Sequence, residues 1–419
     1  MAGNGSGDVH VATGSKNLRS LRQRYSRLPS ASKMIPGTKH EKQSTKNKNP
    51  SRVLFLNQFV PPDPAPTARL LGEVADELER RGHEIVLIGD GADYRGPKTL
   101  FGSRALREAL SLLRLFFRAI TVRRVDVIVC LTSPPLVPVV ARLARLRHGG
   151  ARLVHWAMDL YPEVAVALGE VREGSILHRL TASIMGGTYR ACDGIIVLDE
   201  DMAALIRGHG AESEVLAPWP PAWQGEGDDW PLREGCEHAF TWLYSGNLGR
   251  AHEWKTLLDA QRLLEKTGLA VDLVFQGGGT EREAAVAYAS SLGLTRCRWQ
   301  PYAEAAVLVR SLIAADCLIA TQRPETSGCL WPSKLALAMQ LERPLVWVGA
   351  TDGAVGRMLR GKGHLCFDPG DAAGLAAGLK DLLANAGGLP PLPDPALVRE
   401  RVESLRRAGI AQMADWVEH

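Results

Sequence analysis

The sequence predicts an α/β protein of two Rossmann-like halves facing each other across a cleft. Three observations predict it. Short β-branched and aromatic runs alternate with helical stretches along most of the chain. The alternation has the spacing of parallel strand–helix–strand units. A stretch dense in Pro, Trp, Gly and acids, residues 217–235, divides it into two series, and 419 residues suit two domains.

The first series opens with "RVLFLNQFV" (52–60), a Pro-rich loop and a helical pattern from Thr67 to Arg81. "GHEIVLIGD" (82–90), "VDVIVCLTSP" (125–134), "ARLVHWAMD" (151–159) and "CDGIIVLDE" (192–200) follow as strands. The second comprises "FTWLYSG" (240–246), "AVDLVFQGGG" (270–279), "ADCLIATQ" (315–322), "RPLVWVG" (343–349) and "HLCFDPGD" (364–371). The expected organisation is a basic arm (1–50), an N-terminal domain (51–217), a linker (218–238), a C-terminal domain (239–395) and a terminal helix (396–419). That helix carries enough charge to lie across a surface. In open parallel sheets ligands sit outside the carboxyl ends of the strands, so two facing halves place theirs in the cleft.

Charge is uneven. Residues 1–50 carry ten Lys/Arg against Asp8 and Glu41, a net of +8, and the remaining 40 basic and 44 acidic residues give −4, which recovers the overall +4. The arm is rich in Ser, Gly and Asn and reads as disordered, without the apolar core of a signal peptide. Seven scattered cysteines without Cys-x-x-Cys argue for a reducing compartment and against a structural zinc site. No stretch has the ~18–20 apolar residues that span a bilayer. Residues 104–124 form an amphipathic pattern instead. Arg104, Arg107, Glu108, Ser111, Arg114 and Arg118 fall on one side, and Leu106, Ala109, Leu110, Leu113, Phe116, Phe117 and Ile120 on the other. Such a helix suits an anionic membrane surface, and equally a surface helix packing its apolar side on a core.

Three strand ends of the second half lead into loops of anion-binding character. "SGNLGRAHEWK" brings Gly246, Asn247 and Gly249 together with positive charge from Arg250, His252 and Lys255. "QGGGTERE" offers Gly277, Gly278 and Gly279 ahead of a helix, and "ETSGCLWPSK" places Ser333 and Lys334 at the start of an apolar one. Helix starts carry about half a positive charge and free N–H groups, which lysine and arginine complement into a phosphate clamp. Neither a Walker pattern nor a G-x-G-x-x-G after the first strand is present. In the first half, "HWAMDLYPE" sets Asp159 and Glu163 one helical turn apart at a strand end, with His155 inside the strand. Thr67 reads as a helix N-cap, and Arg69 projects beside it.

In their order, "LNQFVPPDPAPTARLLGEVADELERRGHEIVLI", "LTSPPL", "DLYPE", "CDGIIVLDEDM", "YSGNLGRAH", "FQGGG", "PSK" and "RPLV" resemble bacterial family 4 (group 1) glycosyltransferases over about residues 52–390. The most similar branch holds L-fucosamine transferase-like and colanic-acid-type enzymes. The resemblance implies a GT-B fold whose C-terminal helix returns toward the N-terminal domain. It implies retaining, metal-independent transfer of a sugar from a nucleotide diphosphate sugar, most often a UDP-sugar, with no bound cofactor. The acceptor would be a lipid-linked or polysaccharide precursor, and the enzyme peripheral on the cytoplasmic face of the membrane, contacting it through 104–124 and the basic arm; nucleic acid is not an expected partner. Arg250, Lys255 and Lys334 would hold the leaving diphosphate, and Asp159 would face the sugar or acceptor. Gly246, Asn247, Gly277 to Gly279, Glu325, Ser327, Gly328 and Ser333 would contact the donor, and Thr67, Arg69, His155 and Glu163 the acceptor side. The family's two glutamates, with seven residues between them, fall here on Cys329 and Leu337, so the ribose carboxylate is missing and Glu325 lies four residues too early. That departure keeps two alternatives open, a non-catalytic subunit of the same fold and a UDP-sugar epimerase.

Overall fold

The computed structural model describes residues 50–91, 104–223, 239–385 and 392–419. The basic arm lies outside them, as does most of the expected linker. Two six-stranded sheets, all parallel, carry the chain. The first comprises β1 (Arg52–Leu56), β2 (Glu84–Ile88), β3 (Val127–Cys130), β4 (Arg152–Trp156), β5 (Gly194–Val197) and β6 (Glu214–Val215), ordered β2-β1-β3-β4-β5-β6. The second comprises β7 (Phe240–Ser245), β8 (Val271–Gln276), β9 (Cys297–Gln300), β10 (Cys317–Thr321), β11 (Leu345–Val348) and β12 (Leu365–Phe367), ordered β12-β11-β10-β7-β8-β9. β9 is the strand of the second half that the sequence reading missed. Its exposed Arg298 and Gln300 break the apolar run.

Strands covered on both faces read as continuous apolar runs, and β3, β8, β10 and β11 are buried along their whole length. In each sheet the order reverses beside the first strand of its half, at β1/β3 and at β7/β10. Strand-end loops diverge there and leave a crevice.

The terminal helix Pro395–Glu418 returns onto the N-terminal domain. Arg81 pairs with Asp415 at 2.6 Å and Glu418 at 3.3 Å, and Arg152 donates to the carbonyls of Trp416 and Val417. The Trp416 ring lies where a side chain on Gly194 would stand, so glycine there admits the helix. Residues 217–223 are packed rather than loose. Trp219 is buried, stacks on Trp156 at 5.7 Å and donates to Glu73, which also receives Arg69 and Arg406.

Helix Arg104–Thr121 is turned differently from the expected amphipathic pair of faces. Ser111, Leu115 and Ala119 are buried, while Leu106, Leu110, Leu113 and Phe117 are exposed. The rotation follows from the loop after β2: Ser111 donates to Asp90, and Arg118 reaches the carbonyl of Gly89, drawing part of the polar side inward. Among the described residues no helix is long and apolar enough to cross a membrane.

Candidate functional site

The glycine loops of the C-terminal domain hold one another. Gly246 N–H donates to Gln276 O, Leu248 N–H to Gly278 O, and Glu281 N–H to Leu248 O. A Cβ on Gly277 would stand 2.1 Å from Gly246 O, and one on Gly279 2.2 Å from Leu248 O. Both glycines have positive φ, 138° and 132°, so two reasons exclude a side chain there. The backbone that approaches is first of all the neighbouring loop. The result is a rigid shelf beside a small pocket lined in part by Tyr244, Gly246, Phe275, Gln276, Arg282 and Trp299. Exposed Tyr302 stands over Gly278 and donates to Asn247 Oδ1 at 3.3 Å.

Lys334 reaches this shelf from the opposite loop. Its Nζ donates to Tyr244 Oη at 2.5 Å, lies 4.0 Å from the centre of that ring and faces His252 Nε2 at 3.4 Å. A Cβ built on Gly246 would stand 3.7 Å from Nζ. Tyr244 in turn donates to the carbonyl of Asn247, and His252 donates from Nδ1 to Thr321 O at 2.8 Å, which leaves Nε2 as an acceptor for the ammonium. Among the described residues no carboxylate pairs with Lys334. Burial without a counter-ion lowers its pKa from 10.5 to about 7. Burial and the neighbouring Lys334 lower His252 to about 3, so His252 is neutral and adds no positive charge to the loop.

The helix expected to begin at Lys334 is a single turn, Leu335–Ala338. The Pro-Ser-Lys stretch therefore supplies the ammonium and little helix field. Ser333 is exposed, while Leu337 and Cys329 are buried in the core, the latter with its Sγ on Thr326 O. Neither position can present a group to a ribose. Glu325 sits exposed in a short 3₁₀ turn, 3.5 Å from Arg323.

Arg250 crosses the cleft to Glu170, at 3.0 Å, and to the carbonyl of Leu168. Lys255 is exposed at the first position of helix Lys255–Glu265, its Nζ 5.7 Å from the Trp254 ring, and no contact joins it to Lys334. Arg250 and Lys334 border the cleft; Lys255 does not join them.

From the N-terminal side a short backbone seam closes the cleft. Asp159 pairs antiparallel with Leu330, and Leu160 N–H donates to Cys329 O at 2.8 Å. Gln322 braces that loop through the carbonyls of Thr326 and Leu330. Asp159 is half-buried among these strand ends, and desolvation raises its carboxyl from 3.8 to about 6. A carboxylate raised by burial at a cleft wall is a candidate acid or base. Ser327 and Gly328 pack on Asp201, which also binds Ala354 N–H and Arg357, so these two residues join the domains instead of lining the shelf.

Packing gives the four residues expected on the acceptor side other partners. His155 is fully buried, donates to Cys130 O at 3.1 Å and stacks on Tyr189, and burial lowers its pKa to about 4. Glu163 opens a short helix preceded by Pro162 and binds His209 at 2.6 Å. Arg69 binds Glu73 and the carbonyls of Trp219 and Pro220, holding the linker. Thr67 is not the N-cap either. Ala65 takes that position, Asp63 receives its N–H at 2.8 Å, and Thr67 Oγ1 accepts from Asn57.

Two family models match in succession. The glycosyl transferase 4-like domain covers residues 67–222, and glycosyl transferases group 1 covers 239–385. Together they span well over half of the chain. The chain is a group 1 glycosyltransferase. A curated relative, the probable glycosyltransferase WbjE of Pseudomonas aeruginosa, is 26% identical over 285 residues, 64% of this chain and 70% of the relative. Among solved structures, sucrose-phosphate synthase from Thermosynechococcus elongatus aligns with TM-score 0.64 at 16% identity, covering 88% of this chain and 98% of its own. WaaG, a glycosyltransferase involved in lipopolysaccharide biosynthesis, aligns with TM-score 0.58 at 16% identity, covering 87% and 99%. These neighbours share the GT-B fold, so the glycosyltransferase has two facing Rossmann-like domains, and group 1 membership makes its substrates a nucleotide-sugar donor and a glycan acceptor.

Proposed function

We propose that this glycosyltransferase transfers a sugar from a nucleotide diphosphate sugar, a UDP-sugar in the first instance, to a lipid-linked or polysaccharide precursor. The transfer retains anomeric configuration, uses no bound metal or cofactor, and takes place at the cytoplasmic face of a membrane. The observation that carries the reading is Lys334, a half-buried ammonium held by two neutral acceptors above a glycine shelf. A site that keeps an uncompensated cation out of water is built for an anion, and the leaving group of this reaction is a diphosphate. Arg250, already at the cleft, is the second cation once it exchanges Glu170 for the diphosphate. Asp159, across the seam, faces the sugar or acceptor. The shelf around Gly277 to Gly279 and Asn247 supports the nucleoside. The geometry supports a diphosphate; the donor base and retention rest on the family resemblance.

A thermal-shift screen with UDP-, GDP- and dTDP-sugars tests the donor, and product anomericity tests retention. Folded protein that responds to none of them overturns the proposal. A second reading, a non-catalytic partner subunit, is motivated by Leu337 at the ribose position. It predicts that the pathway tolerates Lys334→Met.

A further inference from the structure

More than half of the large hydrophobic side chains exposed among the described residues lie on three helices of the N-terminal domain. Arg104–Thr121 packs on Val137–Arg147, which packs on Ile176–Tyr189, so the three form one continuous face. The first exposes Leu106, Leu110, Leu113 and Phe117, spaced as one helical stripe, with Phe117 59% exposed. The second exposes Leu143 and Leu146, the latter 80%. The third exposes Ile176, Leu177, Leu180 and Ile184, again one stripe, with Ile176 86% exposed. Exposed apolar surface on this scale calls for a cover.

Charge decides what covers it. The three helices carry eight arginines (104, 107, 114, 118, 142, 145, 147 and 179) against one acid, Glu108; Arg145 pairs with Asp193 and Arg118 bonds the Gly89 carbonyl, and the balance stays strongly basic. A second copy docked face to face would set this charge against itself, since a two-fold interface pairs a patch with the same patch. The basic arm, net +8, is repelled for the same reason. Nucleic acid answers the arginines and leaves ten leucine, isoleucine and phenylalanine side chains uncovered. An anionic bilayer answers both. Leucine and phenylalanine enter the headgroup–acyl boundary while exposed arginines such as Arg114, Arg142 and Arg179 extend along apolar stems to lipid phosphates.

We infer that this three-helix face is a bilayer-docking platform for anionic phospholipid, wider than the single amphipathic helix legible in the sequence. It rests on the glycosyltransferase reading only for its purpose. Glu170, which reaches Arg250 at the cleft, lies six residues before Ile176, so the platform ends beside the rim where a lipid-linked acceptor would enter.

The test is co-sedimentation of the full chain with phosphatidylcholine vesicles and with vesicles rich in phosphatidylglycerol. Wild type binds the second and not the first, and added salt weakens it. Leu146→Asp/Leu180→Asp, confined to the second and third helices, lowers partitioning roughly tenfold, as does Leu113→Asp/Phe117→Asp. Arg142→Glu/Arg147→Glu, at exposed positions where folding is undisturbed, lowers it as well. Wild type that stays in the supernatant overturns the platform. So does loss confined to the Leu113/Phe117 pair, or a wild-type dimer that the Leu146/Leu180 pair dissociates. Nucleotide thermal shifts recorded on the same samples report the donor site separately, so failure of the transfer reading leaves the vesicle result standing.

Discussion

Lys334→Met removes an ammonium and keeps most of the stem's volume, so it tests the diphosphate clamp with little repacking. Among the described residues the ammonium meets Tyr244 Oη and His252 Nε2, both neutral acceptors. A charge-assisted hydrogen bond to phosphate contributes about 1.5–3 kcal/mol, and each ~1.4 kcal/mol is tenfold, so donor affinity should fall roughly 10- to 150-fold. The pH dependence is more diagnostic. Burial holds Lys334 near a pKa of about 7, and a bound diphosphate favours the ammonium and raises that value. Above it, binding must take up a proton, and the wild-type Kd rises about tenfold per pH unit until the bound-state pKa is reached. The pyrophosphate diester of a nucleotide sugar has no titration in this range, so the slope belongs to the protein. Isothermal titration calorimetry from about pH 6 to about pH 9 at constant ionic strength reads both effects. Wild-type affinity should drop on the alkaline side, and the variant should be weak and flat. A flat wild-type profile, or a Met variant of native affinity, refutes the assignment of Lys334.

Three further outcomes follow from the same geometry. Gly279→Ala should destabilise by about 3 kcal/mol or more, because the new methyl meets Leu248 O in a strained backbone, and an unchanged denaturation midpoint would contradict the interlocked shelf. Arg250→Ala breaks a half-exposed ion pair worth about 1 kcal/mol or less, so melting should barely change while the free protein opens in small-angle scattering; an unchanged radius of gyration removes its role as a cleft pin. Asp159→Asn should abolish most turnover yet stabilise the fold. Its folded pKa, about 6, exceeds 3.8, so the carboxylate opposes folding as pH climbs from about 4 to 6 and by a constant amount above. Allowing for partial exposure, the gain is about 1–2 kcal/mol at neutral pH and vanishes near pH 4, and equal melting of both proteins at neutral pH would dismiss it.

The fold was legible because parallel strands covered on both faces are apolar without interruption. β9, exposed at Arg298 and Gln300, escaped for the converse reason. Gly246 and Gly277 to Gly279 could be read from strand-end position and residue type, and Lys334 from an expected helix start that is a single turn. Tyr244 could not, since an aromatic two residues before a strand-end glycine looks like core, and only the structure shows its hydroxyl under the lysine. His252 was seen and its charge misjudged, because the desolvation that neutralises it depends on loops distant in sequence. His155, Glu163 and Arg69 were assigned to the cleft from their place near strand ends and helix starts. Their actual partners Cys130, His209, Trp219 and Glu73 include residues 25, 46 and 150 positions away, which local pattern does not encode.

Helix Arg104–Thr121 shows why periodicity locates a helix better than it orients one. Its apolar residues form two stripes, Leu112, Leu115, Phe116 and Ala119 against the sheet, and Leu106, Leu110, Leu113 and Phe117 toward solvent. A moment summed over the sequence points between them and names one face. Which stripe turns inward is settled by the loop after β2, whose Asp90 and Gly89 carbonyl take Ser111 and Arg118 and rotate the polar side toward the sheet. A stripe left outside by that choice contributes little to the fold's stability beyond the edge contact of Phe117 on Phe116. If it served nothing, polar residues would suit the positions of Leu113 and Phe117 equally well, and replacing them would change neither folding nor membrane partitioning. The vesicle experiment separates those two cases.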